Sequence, residues 1–378
     1  MIKLTPPMGW NSWNTYGKDI DEQLIKETAD AIVSTGLLDK GYEYLVIDDC
    51  WSLRERDENE RLVPDPEKFP NGIKAVADYV HSKGLKFGMY SCVGPLTCAM
   101  YPGSYEHEFI DAQTFAEWGV DYLKYDYCYH SDIVHGQYLY RRMGLALENC
   151  GRDIVFSACS WGKDMPQDWA RTSSANMWRS TGDIVDNWES VKGIIRQQDT
   201  LFLYNNIAGC YNDMDMLVVG MYGKGNSSLG GCNDTEYKTH FSFWALCGSP
   251  LMIGCDIRDM NETTREILMN EALIRINQDK AGRQLYKLGK GLCKDDVLVY
   301  AKQLENGDLA IGMFNLSDDK GYARFCLDEF GLNYSTGKTL RVKEVWTGNE
   351  FVVKNATVIQ ELEAHGCAVF CAQVVNIR

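Results

Sequence analysis

Basic charge is scarce in this 378-residue sequence: 38 Lys and Arg stand against 53 Asp and Glu, a formal net charge of −15. Such a surface repels phosphate backbones and anionic headgroups, so nucleic acid and membrane surfaces are excluded as expected partners. Long apolar runs are missing as well, and none approaches the ~20 residues needed to span a bilayer. The N-terminus, MIKLTPPMGWNSWN, carries neither an apolar h-region nor a small-residue cleavage site, which leads to the expectation of a cytoplasmic protein. No Cys-x-x-Cys pair occurs, and neither Cys92–Cys98 nor Cys367–Cys371 has zinc-ligand spacing with nearby histidines, so no metal is expected. The fourteen cysteines are scattered through apolar runs, Cys150, Cys159, Cys247, Cys255 and Cys371 among them, where the residue packs as a small hydrophobe. The six histidines come with no nucleophile elbow, which leaves a Ser–His–Asp reading without support. Low-complexity linkers and internal repeats are absent too.

What remains is an ordinary globular composition, 45% hydrophobic and 24% charged, on a chain longer than one core usually supports. Eight strand-like runs alternate with amphipathic stretches: Pro7–Asn11, Tyr44–Asp48, Lys86–Ser91, Tyr122–Asp126, Ile154–Cys159, Asn176–Arg179, a weaker one at Tyr204–Ala208, and Pro250–Asp256. Between the first two, Leu24, Ile25, Thr28, Ala29, Ile32 and Val33 form one helical stripe behind the N-cap candidate Asp21. Ile73, Val76, Ala77 and Val80 form another, closed by Gly84, and Asp111 is expected to cap a helix that buries Phe115 and Trp118. The alternation predicts a parallel sheet. The span of about 280 residues and the polar residues at most strand ends favour a closed α/β barrel, a (β/α)8 TIM barrel, over an open sheet. From about Leu285 onward, short alternating runs broken by Asn-Gly and Thr-Gly pairs predict a small antiparallel β-sandwich. The expected domains are residues 1–283 and 284–378.

The candidate chemistry lies at the strand ends. Asp48 and Asp49 precede Trp51, and carboxylates beside an indole suit sugar hydroxyls and a sugar's apolar face. In Tyr122–Asp126, alternation puts Lys124 and Asp126 on one face, where the ammonium would keep the carboxylate ionised as a nucleophile requires. Asp183 follows Trp178-Arg179 near a later strand end. Each of these Asp residues also fits a helix- or loop-capping role on local grounds. Asp213 and Asp215 lie in an expected turn. The glycine-rich stretch Gly223–Gly231 keeps a phosphosugar-binding alternative open, although it lacks P-loop spacing.

Taken together and in order, these segments resemble the α-galactosidases and α-N-acetylgalactosaminidases of glycoside hydrolase family 27. The resemblance runs from Pro7-Met-Gly-Trp-Asn-Ser-Trp13 through Val46-Ile-Asp-Asp-Cys-Trp51, Asp111–Asp121, Lys124-Tyr-Asp126, Trp178-Arg179 with Asp183, and Asn212-Asp213 to Ile276-Asn-Gln-Asp279. It implies a retaining exo-glycosidase without cofactor, in which Asp126 is the nucleophile and Asp183 the general acid/base. It further implies that Asp48 and Asp49 hold O4 and O6, that Trp13 packs on the ring, and that Tyr90 and Lys124 line the pocket. Arg179 and Asp215 would contact the O2 side. Cys98 and Cys128 match a pair that is disulfide-bonded in secreted relatives.

Three departures bear on the substrate. Ser160 stands where many family α-galactosidases carry a Glu that binds the 2-hydroxyl and where the animal N-acetylgalactosaminidases carry Ser. That implies α-N-acetylgalactosaminides as the alternative to terminal α-galactosides. Cys92 stands where the family often has Asp and Tyr127 where Gly or Asn is common, and both are expected to flank the pocket. A carbohydrate-binding barrel without catalysis is the rival of another class, and homo-oligomerisation is left open.

Overall fold

Eight short parallel strands curl into one sheet in the computed structural model, which describes residues 5–204, 209–289 and 291–377. They are β1 (Met8–Asn11), β2 (Tyr44–Val46), β3 (Lys86–Cys92), β4 (Tyr122–Asp126), β5 (Val155–Cys159), β6 (Met177–Arg179), β7 (Tyr211–Asp213) and β8 (Leu251–Ile253). Their order is β7-β6-β5-β4-β3-β2-β1-β8. The ring closes through the segment after β7, not through a β7–β8 ladder. There Leu217 N–H donates to Met252 O at 2.8 Å and Leu217 O accepts from Gly254 N–H at 2.9 Å. The strands are buried on both faces, as parallel strands covered by helices must be, which is why they read as near-continuous apolar runs.

Register decides where the chemistry collects. Cys92 pairs with Asp126, Asp126 with Cys159, and Arg179 with Asp213, so the C-terminal ends of β3 to β7 finish at one level. The helices form largely where periodicity puts them: Glu22–Ser34 is capped by the Asp21 side chain, which accepts from Leu24 N–H at 2.7 Å. Two expectations fail. The helix that buries Phe115 begins at Glu108, so Asp111 lies in its first turn, where Arg56 grips its carboxylate at 2.7 and 2.8 Å. The seventh strand is not at Tyr204, which sits in a 3-10 turn, while 205–208 lie outside the described residues. It is Tyr211–Asp213, read from the sequence as a turn because carboxylates dominate it. Only pairing with β6 makes it a strand.

The last barrel helix ends at Asn277, and the chain then builds β9 (Tyr286–Leu288), β10 (Val297–Gln303), β11 (Leu309–Asn315), β12 (Gly321–Cys326), β13 (Lys338–Glu344), β14 (Glu350–Val352), β15 (Thr357–Leu362) and β16 (Cys367–Asn376). Six of them form an antiparallel sheet, β14-β13-β16-β11-β10-β9, and β12 pairs with β15 to face it. Val299, Ile311, Phe325 and Phe370 fill the space between the layers. The other face of the large sheet packs on the barrel's Asp234–Cys247 helix, where Phe243 meets Phe314 edge-on at 5.1 Å. Gly312 permits that approach, since a Cβ there would lie 2.5 Å from Leu246 Cδ2. Among the described residues, no helix is long and apolar enough to cross a membrane.

Candidate active site

A cavity of about 210 Å³ opens at the C-terminal ends of the barrel strands. It is smaller than the roughly 300–1,000 Å³ of drug-sized pockets, so it suits one small ring. Its wall brings together Trp13, Asp48, Asp49, Tyr90, Lys124, Asp126, Arg179, Asp183 and Asp215, contributed by loops or strand ends of six different strands. Of the sugar-contacting residues implied by the sequence, Ser160 alone is missing from it.

Each carboxylate is held differently. Asp126, at the end of β4, accepts from Tyr90 Oη at 3.0 Å and from Tyr127 N–H at 2.9 Å. Burial pushes its carboxyl up to about 6; Lys124 and the Tyr127 amide oppose this, and the neighbouring Asp183 and Asp48 reinforce it. The expected Lys124–Asp126 ion pair does not form. Lys124 Nζ instead donates to Asp48 Oδ2 at 2.8 Å, and Asn11 Nδ2 donates to the same oxygen at 2.7 Å. Lys124 therefore acts on Asp126 only through space, and burial wins.

Asp49 accepts from Cys50 N–H, Thr97 Oγ1 and Ala99 N–H at 2.7 to 3.0 Å. Cys50 reaches back to it by adopting φ 71°, and Asp215 has φ 80°. Left-handed backbone at non-glycine residues costs of order 1–3 kcal/mol each and collects at functional sites.

Arg179, 2% exposed at the end of β6, organises the opposite wall. Its Nη2 donates to Gly182 O at 2.9 Å, Asp183 Oδ1 at 2.8 Å and Asp215 Oδ2 at 2.5 Å. Asp215 also accepts from Ile184 N–H at 2.7 Å, which ties the end of β7 to the loop carrying Asp183. The Asp183 side chain remains 73% exposed. Partial desolvation works to raise its carboxyl, but Arg179 and Lys124 outweigh that and hold it below the usual carboxylate range. Burial pushes Asp215 up to about 6, with Arg179 opposing and Asp183 and Asp213 adding to the rise.

Several sequence expectations are corrected here. Trp51 is no sugar platform: it is 3% exposed, packs edge-on against Trp118 at 5.7 Å and donates to Tyr90 O at 3.0 Å. Trp13 is the indole in the wall. Ser160 is fully buried, with its hydroxyl donating to Lys163 O at 3.1 Å, so its small side chain opens no space beside a sugar. One residue earlier, Cys159 Sγ accepts from Arg179 Nη1 at 3.5 Å. Cys92 is sealed in the sheet, with its thiol on Cys128 O at 3.1 Å, and Tyr127 is buried away from the cavity, where it stacks on His130 and donates to Asp164. Neither residue lines the cavity. The Gly223–Gly231 stretch is no phosphate cradle, because the amides of Gly223, Gly231 and Cys232 are taken up by Asp186. Five carboxylates against two cations in the wall also repel a phosphate.

Cys98 and Cys128 are joined as a disulfide with their Cα atoms 5.1 Å apart. Together with Asp126 they form a tight Cys–Asp–Cys cluster, but its two sulfurs are bonded to each other and supply no thiolate pair. Wall residues not among the expected sugar contacts are Asn14, Ile184, Val185, Met216, and Asn226 and Ser227 of the glycine-rich stretch. All but Asn14, which lies in the short Trp13–Tyr16 helix, come from loops, and no periodicity marks them.

The chain as a whole has close counterparts. The family model described as alpha galactosidase A matches residues 5–279, and that described as alpha galactosidase C-terminal beta sandwich domain matches residues 294–372. The alpha-galactosidase of Cyamopsis tetragonoloba is 44% identical, with 97% of this chain and 85% of the relative covered. Alpha-galactosidase 2 of Arabidopsis thaliana is 43% identical over 98% of this chain and 89% of its own. Alpha-galactosidase I from Mortierella vinacea superposes with a TM-score of 0.90 at 35% identity, covering 98% of this chain and 97% of that one. The alpha-galactosidase from Saccharomyces cerevisiae with raffinose superposes with a TM-score of 0.86 at 29% identity, covering 98% of both chains. The chain thus belongs to the α-galactosidase family, glycoside hydrolase family 27.

Proposed function

We propose that this enzyme removes terminal α-galactosyl residues by double displacement, with Asp126 as nucleophile and Asp183 as acid/base. The observation that carries the reading is the pairing itself: one buried carboxylate fixed by two donors faces the same small cavity as one exposed carboxylate on a loop. Asp126 attacks the anomeric carbon as the glycosidic C–O bond breaks, and the Asp183 proton passes to the leaving oxygen. Water then attacks the same carbon, Asp183 takes its proton, and the Asp126–sugar bond breaks. The excess of carboxylates suits the oxocarbenium-like transition state, whose positive charge lies between them. Asp48, Asp49 and Lys124 are the groups we assign to the O4 and O6 hydroxyls, and Arg179 with Asp215 to the O2 side.

In the free site the proton sits on the wrong partner. Asp126 titrates near 6, raised by burial with the nearby Asp183 adding to the rise, while Arg179 and Lys124 hold Asp183 below the usual carboxylate range. The competent form carries one proton on the pair, with Asp183 as its holder. It is lost above about 6, when that proton leaves, and lost again in strong acid, when both are protonated. The pH profile of kcat/KM is therefore expected to be an acidic bell whose upper limb lies near 6. A flat profile through pH 8 rules this out.

Galactose is favoured over N-acetylgalactosamine because the feature suggesting the latter, Ser160, is buried away from the cavity. The expected preference, measured as kcat/KM on nitrophenyl α-galactoside against the α-N-acetylgalactosaminide, is at least about 100-fold. Equal rates on the two substrates reverse the assignment.

A further inference from the structure

Asp186, three residues beyond Asp183, is 0% exposed, and among the described residues no Lys or Arg pairs with it. A buried carboxylate in that condition is costly unless fixed donors surround it. Three do. Its Oδ2 accepts from Gly223 N–H at 2.7 Å, and its Oδ1 accepts from Tyr237 Oη at 2.8 Å and Cys232 N–H at 3.1 Å. The direction of the phenol bond is set, because Tyr237 Oη itself accepts from Tyr222 N–H at 2.7 Å. The Asp186 backbone adds to the grip: its N–H donates to Ser227 O at 2.8 Å, and its carbonyl accepts from Gly231 N–H at 2.8 Å. Gly231 makes this path available. It has φ 89°, and a Cβ on it would lie 2.6 Å from Gly223 N.

The far side of the same loop is sewn to the β1 end of the barrel. Asn226 N–H donates to Thr15 O at 3.0 Å, and Ser227 N–H donates to Asn14 O at 2.8 Å. Asn226 and Ser227 thereby enter the cavity wall between Trp13 and the Asp183 loop.

We propose that Asp186 is a positioning residue, which fastens the acid-bearing loop to the Gly223–Gly231 loop so that Asp183 and the Trp13 wall hold one geometry. It touches no substrate and acts through Asp183. This rests on the reading of Asp183 as the acid. Asn at this position keeps the shape, but its amide NH2 faces donors on at least one side, so one contact is lost and the loop loosens.

The test exploits leaving groups. Melibiose needs protonation of its leaving hydroxyl, whereas 2,4-dinitrophenyl α-galactoside departs without it. Asp186→Asn is expected to lower kcat/KM on melibiose by on the order of 100-fold, as a misplacement of about 1 Å does, and on the dinitrophenyl substrate several-fold at most. Tyr237→Phe, a milder change, is expected to give the same ranking with a smaller loss. Equal losses on both substrates, or none, overturn the proposal, since a merely structural role does not distinguish leaving groups. Asp183→Ala is run alongside. If it too shows no leaving-group dependence, the acid assignment fails; if it does while Asp186→Asn does not, only the positioning role is lost.

Discussion

Asp126→Asn is expected to lower kcat on nitrophenyl α-galactoside by on the order of 10⁴-fold, the scale seen when a covalent nucleophile's machinery is disabled. The substitution is nearly isosteric. An Asn Oδ1 still accepts from Tyr127 N–H, and Tyr90 Oη can turn from donating to accepting. The pocket therefore keeps its shape and its hold on galactose, measured as product inhibition, while the atom that forms the bond to the anomeric carbon is gone. The charge balance moves the same way: without Asp126 the wall retains Asp48, Asp49, Asp183 and Asp215 as anions around Lys124 and Arg179, so folding is not compromised by an orphaned cation. A variant that binds galactose and keeps kcat within tenfold of the parent would falsify the nucleophile assignment.

Asp183→Ala should separate the two halves of the reaction. With a substrate that needs protonation, such as melibiose, kcat/KM is expected to fall about 10²- to 10⁴-fold, the usual worth of a positioned acid. With 2,4-dinitrophenyl α-galactoside, formation of the glycosyl-enzyme survives, but its hydrolysis loses the base, and a burst precedes a slow steady state. Azide needs no base, so it should restore turnover and release α-galactosyl azide. The α anomer is the informative product, since it requires two displacements on one carbon. Release of the β anomer, or rescue without any burst, contradicts an acid/base role on this loop. Arg179 gives the result a structural frame, because Asp183 is the most exposed member of its ion-pair set and Asp215 the buried one. Removing Asp183 leaves Arg179 paired to Asp215, and the wall should hold.

Both experiments address residues whose importance was only partly legible beforehand. Strand alternation put Lys124 and Asp126 on one face, and the structure keeps them there, yet it sends the ammonium to Asp48. No spacing rule joins positions 48 and 124; the parallel register of β2, β3 and β4 does. Ser160 and Trp51 failed for a related reason. Both lie beyond their strands, which end at Val46 and Cys159, so alternation does not set their direction; loop contacts do, turning Trp51 to Tyr90 O and Trp118 and Ser160 to Lys163 O.

The sequence by itself determined the barrel, since buried parallel strands impose apolar runs and amphipathic helices impose a 3.6-residue stripe, and both are local patterns. It determined the family through ordered motifs, and it placed Asp126 at a strand end and Asp183 shortly beyond one. Tertiary structure alone decided the rest: that β7 is Tyr211–Asp213, that the barrel closes through Leu217, and that burial holds Asp126 near 6 while Arg179 holds Asp183 low. It also decided that a glycine-rich loop is folded around Asp186 instead of a phosphate. The physical reason is the same in each case. Periodicity records which face of an element is dry, whereas ion pairs, desolvation and loop stapling depend on which distant segments end at the same height, and that is known only once the sheet has closed.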